Sequence, residues 1–97
     1  MTDDTTDHDD ILKHALETWG EEAQIVMAIE ESAELTHALT GLYRGRAADG
    51  DVIEEIADVQ IMLDQLALLF GEGAVEDAVR EKLYRLEERL EEADRDA

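Results

Sequence analysis

Apolar residues recur at three- and four-residue intervals through most of this chain, and the breaks in the pattern fall at glycine. Ile11, Leu12, Ala15, Leu16 and Trp19 share one helical face, so the spacing predicts a first helix over 10–19. Asp10 is its expected N-cap and Gly20 its stop. A second helix is expected from Glu21 to Arg44, with acids at the positive end of its dipole and Gly45 beyond its end. "RGRAADG" at 44–50 reads as a loop. A third helix opens at Asp51, where Glu54 three residues on completes a capping-box spacing, and runs to "GEG" at 71–73. A fourth covers 74–92, with Val75, Val79, Leu83, Leu86 and Leu90 in one stripe. The absence of proline and of β-branched runs leaves helix as the default.

"MTDDTTDHDD" has no apolar period, so residues 1–9 are expected as a flexible acidic tail ahead of a single domain over 10–97. The third helix is apolar on much of its circumference, from Val52 and Ile53 to Leu69 and Phe70, and such a helix must be covered nearly all round. Three partner helices leave part of it bare. The expected fold is an all-α helical bundle of about four helices, assembling as a dimer or tetramer.

Acids interrupt the two central seams. On the second helix the inward stripe reads Met27, Glu31, Glu34, Ala38; on the third it reads Val52, Glu55, Asp58 or Val59, Met62, Leu66. Glu30 and Glu54 flank these stripes. Carboxylates brought together inside apolar seams lose hydration and repel one another, so they need protonation, bases or a cation. No base lies between Lys13 and Arg44. All-oxygen ligation without cysteine or paired histidine suits a hard ion, Mg²⁺ before Mn²⁺. A single Glu-x-x-Glu is commonly just a solvated helix face; two acidic pairs on consecutive helices, both in apolar seams, favour a site. Glu34 and His37 also match the Glu-x-x-His spacing of di-iron bundles, but the third helix has no histidine to complete one. His37 is expected at the surface or behind a ligand.

Composition sharpens this picture. The 97 residues carry 27 acids, 8 bases and a net charge of −19, which opposes compaction at low salt and suits a high-salt environment. Basic residues are too dispersed for stable nucleic-acid binding. No cysteine is present, which excludes disulfides, thiolate metal sites and a cysteine nucleophile. The acidic start is unlike a targeting peptide and no apolar run could span a bilayer, so a cytoplasmic location without membrane contact is expected.

"WGEEAQIVMAIEESAEL" at 19–35, "RGR" at 44–46, "IEEIADVQIMLDQL" at 53–66 and "EKLYRLEERL" at 81–90 together resemble the MazG-like family of all-α nucleoside triphosphate pyrophosphohydrolases. The resemblance covers nearly the whole chain after the tail. It implies an Mg²⁺-dependent enzyme that cleaves an NTP or dNTP between the α- and β-phosphates, giving a monophosphate and pyrophosphate. It also implies Glu31, Glu34, Glu55 and Asp58 as metal ligands and an oligomer with sites between helices. Phosphoryl chemistry of this kind needs positioning and charge neutralisation, and Glu30 or Glu34 would take the proton of the attacking water.

A tetra-anionic substrate needs local cations in so acidic a chain. Lys82 and Arg85, and then Arg89, are candidate phosphate contacts; simple ion pairing with Glu81 and Glu88 is the competing role. Arg44 and Arg46 are weaker candidates, toward a neighbouring subunit's site. Trp19 would stack on a base and Gln24 would bond its edge, although a lone Trp at a helix end is more often packing. Two other functions compete: a phosphoribosyl-ATP- or dUTP-specific enzyme of the same fold, and a non-catalytic acidic interaction module.

Overall fold

The computed structural model describes residues 4–97, with side chains from His8 onward. Four helices follow one another, with no strand among the described residues: α1 (Asp4–Trp19), α2 (Glu21–Tyr43), α3 (Asp49–Phe70) and α4 (Glu72–Asp96). Two of the three junctions are a single residue. Gly20 (φ 91°) and Gly71 (φ 118°) occupy backbone regions that a Cβ would strain, so the chain changes direction there without a loop. Their N–H groups donate to Leu16 and Ala67 carbonyls at 2.9 and 2.8 Å, closing the final turns of α1 and α3.

Three helix starts differ from expectation. α1 begins at Asp4, so Asp10 lies inside the helix rather than capping it, and the expected tail is helical from residue 4. Residues 1–3 of that tail lie outside the described residues. The His8 Nε2–Asp64 Oδ2 contact at 3.1 Å ties this polar stretch to α3, a tertiary tie that apolar periodicity does not report. α3 begins at Asp49, with Ala48 as the N-cap residue. There Asp51 is the member that reaches back, its carboxylate accepting the Ala48 N–H at 2.9 Å, and Glu54 lies within the helix. α4 opens at Glu72, because Gly71 alone supplies the turn.

α2 and α3 form the main pair, antiparallel across the loop 44–48, and α1 packs on both. The buried apolar core is small: Leu12, Ala28, Ala38 and Val52. Two glutamines join it. Gln65 is 2% exposed; its Nε2 donates to the Leu12 carbonyl at 3.1 Å and its Oε1 has no partner.

α4 stands apart. It packs only against α3, and none of its residues is buried. The stripe Val75, Val79, Leu83, Leu86 and Leu90 forms as predicted, but only Val75 at its start shares a cavity with α1 and α3, and the stripe stays exposed, Leu83 at 58%. On α3, Ile53, Ile56, Leu63 and Phe70 are also uncovered. The radius of gyration is 17.0 Å, against about 13 Å for a compact domain of this size. No helix among the described residues is long and apolar enough to cross a membrane.

Candidate metal centre

The acids that interrupt the seams meet between α2 and α3. Antiparallel packing sets the middle of α2 beside the first half of α3, and the i, i+3 spacing on α3 turns Glu55 and Asp58 toward Glu31. One carboxylate oxygen from each of Glu31, Glu55 and Asp58 lies within 4.8 Å of the other two. Glu31 and Glu55 are half-buried and Asp58 is exposed, so the cluster opens to one side. Glu55 Oε2 is fully shielded and has no hydrogen-bond partner. Glu34 stands outside this group of three, exposed at its rim.

The electrostatics follow from this geometry. Desolvation raises the Glu31 carboxyl above the usual carboxylate range, with repulsion from Asp58 and Glu34 and a side-chain hydrogen bond to Asp58 adding to it. Desolvation also raises Glu55, followed by repulsion from Asp58, Glu31 and Glu34. No base touches the group: the ion pairs formed by arginine among the described residues are Arg80–Asp77 and Arg85–Glu81, both on α4. A hard cation bound by oxygen fits this donor set, which supplies three carboxylates, one of them with a stranded buried oxygen, and no soft ligand.

A raised carboxyl pKa destabilises the fold. The folded state then binds more protons than the unfolded one above the ordinary carboxylate range, so stability falls as pH rises through the folded value. In metal-free protein, Glu55→Gln is therefore expected to melt above the parent at neutral pH, with the gap narrowing as the pH is lowered and Glu55 protonates. Thermal melts of both proteins from neutral to acidic pH check this; a parent that melts higher at neutral pH contradicts it.

Two cavities flank the carboxylates. The first, about 500 Å³, has a largely apolar wall of Trp19, Met27, Ile61 and Met62, with Gln24 as a buried polar group; Glu31 and Asp58 edge it. Trp19 and Gln24 thus share a cavity with two of the acids. The second, about 430 Å³, is bordered by Glu34 and Glu55 and by His37, Arg44 and Arg46. Glu30 lines neither; it borders a shallow depression that shares Trp19, Ala23 and Met27 with the first cavity. A further cavity of about 510 Å³, holding the His8–Asp64 pair, lies apart from all the site's acids.

Lys82, Arg85 and Arg89 border neither flanking cavity, and Arg85 pairs with Glu81 at 2.8 Å, the competing role foreseen for it. Within one chain these bases are not assembled with the carboxylates. Arg44 and Arg46, the weaker candidates by sequence, are the ones that border the second cavity. The available signal was that they are the only bases between Lys13 and Arg80. No family model, curated protein or solved structure matches the chain.

Proposed function

We infer that the protein is an Mg²⁺-dependent nucleotide pyrophosphohydrolase, splitting a nucleoside triphosphate into a monophosphate and pyrophosphate. The observation that carries this reading is the convergence of Glu31, Glu55 and Asp58 from two helices, with a shielded Glu55 oxygen left without a partner. The resemblance of the two acidic motifs to those of MazG-like enzymes supplies the reaction class.

Glu31, Glu55 and Asp58 would hold the cation, with Glu34 beside them. When bound, a hard divalent ion neutralises phosphate charge and makes a coordinated water more acidic. The nucleobase would enter the apolar cavity, where Trp19 offers a face for stacking and Gln24 a polar group for the base edge. The water oxygen bonds to the α-phosphorus, the α–β anhydride bond breaks, and its electron pair leaves on pyrophosphate. Glu34 takes the water proton; it flanks the cluster without belonging to the convergent three, whereas Glu30 lines neither flanking cavity.

The uncovered stripe of α4 and the bare faces of α3 support a homo-oligomer, at least a dimer, in which a second copy covers them. Such a copy would also bring its own α4 bases, Lys82, Arg85 and Arg89, toward its neighbour.

Product analysis across a nucleotide panel with Mg²⁺ tests the reaction. Pyrophosphate and monophosphate as equimolar products support it, and confinement of activity to dUTP or phosphoribosyl-ATP would identify a specific member of the class. Release of inorganic phosphate alone, or no release from any nucleotide, would refute it.

A further inference from the structure

The carboxylates have a cationic flank as well as an apolar one. In a chain of 27 acids, Arg44 and Arg46 are the lysine or arginine residues that line a cavity flanking them, and neither pairs with a carboxylate among the described residues. Both border the cavity that Glu34 and Glu55 also line. Asp51 and Glu54 also line this cavity, and the Asp51 carboxylate accepts the Ala48 N–H.

Local backbone geometry holds these arginines there. The N–H groups of Arg46 and Ala47 donate to one acceptor, the Gly41 carbonyl, at 2.7 and 3.2 Å, folding the loop back onto the end of α2. A Cβ at Gly41 would sit 3.1 Å from Ala47 Cβ, tighter than ordinary contact, so a side chain there would press the loop away from α2. The loop is therefore tied down, and the two guanidiniums start from a restricted set of positions. Guanidinium suits phosphate because its planar donors engage two oxygens at once.

We propose that Arg44 and Arg46 form the subsite for the distal end of the polyphosphate, and that pyrophosphate rests there after cleavage. The proposal rests on the hydrolase reading and adds a direction to it. Glu31 and Asp58 face the apolar cavity, while Glu34 and Glu55 face the cationic one. A nucleotide with its base beside Trp19 then passes its phosphates across the carboxylates toward the loop. In a chain of net charge −19, binding a tetra-anionic tail needs cations at the tail itself, since the long-range field repels it.

Calorimetric titration with inorganic pyrophosphate in Mg²⁺, and separately with a nucleoside monophosphate, tests this on the full chain. The double variant Arg44→Ala/Arg46→Ala is expected to lose pyrophosphate affinity on the order of 100-fold, about tenfold for each charge-assisted contact. Monophosphate affinity should stay within about twofold. Arg44→Lys/Arg46→Lys should recover part of the loss. Arg80→Ala, which removes the same charge on α4, should change neither ligand's binding. Gly41→Val, which displaces the loop and keeps both arginines, should weaken pyrophosphate alone.

Unchanged pyrophosphate affinity in the double variant, an equal loss for both ligands, or a parent that binds no pyrophosphate would each overturn the subsite. Arginine-dependent pyrophosphate binding in a parent that hydrolyses no nucleotide keeps the subsite and removes the hydrolase reading. Hydrolysis in a double variant with normal pyrophosphate affinity does the reverse.

Discussion

Glu31→Gln and Asp58→Asn should each lower Mg²⁺-dependent pyrophosphate release on the order of 1,000-fold, while far-UV circular dichroism stays that of the parent. A cation that stabilises transition-state charge contributes several kcal/mol, and about 1.4 kcal/mol corresponds to a tenfold change in rate. Each substitution keeps side-chain volume and removes one charged ligand from a group of three. Folding should not suffer, because no basic partner is stranded and one source of repulsion disappears. The outcome is therefore selective: activity falls while the metal-free melting temperature holds or rises. Turnover within about tenfold of the parent in both variants would remove Glu31 and Asp58 from the ligand set.

The second large effect belongs to α4. Leu83→Asp should dissociate the proposed oligomer, weakening self-association on the order of 1,000-fold or more. It removes about 2 kcal/mol of apolar burial and adds a carboxylate that must be desolvated at the contact. Leu83 lies at the middle of the five-residue stripe, where truncation costs most at an interface. Because no part of α4 is buried within the chain, the monomer should keep its helices. Analytical ultracentrifugation measures this directly. Added salt should strengthen association of the parent, since each copy carries −19 and screening reduces their repulsion. A parent that is monomeric at high protein concentration and high salt would contradict the proposed role of the stripe.

Much of this was legible from residue spacing. Glycines 20 and 71 end helices because positive φ suits them, and that shows in sequence as an apolar period broken by a residue without a side chain. The acids at 31, 55 and 58 stood out because they occupy positions where the heptad-like register asks for leucine. What was not legible depends on contacts distant along the chain. The opening turns of α1 contain no apolar residue to set a period, and His8 meets Asp64 only once α1 lies on α3. Glu34 shares the motif with Glu31, yet the packing of α2 on α3 leaves it at the rim. Arg44 and Arg46 read as a helix end and a loop; their place beside Glu55 arises when the loop folds back onto the Gly41 carbonyl. The exposure of α4 could not be read either, because periodicity identifies an apolar face without saying what covers it.

Titrating Mg²⁺ into metal-free protein, parent and Glu55→Gln side by side, measures the central claim. The solution should hold about 1 M monovalent salt, where screening over about 3 Å suppresses loose cation uptake by surface acids. Saturable binding in the parent that is weakened at least tenfold by the substitution is the result expected of three carboxylates sharing one cation. Identical isotherms for the two proteins, or no saturable binding in the parent, would mean that the acids between α2 and α3 hold no metal.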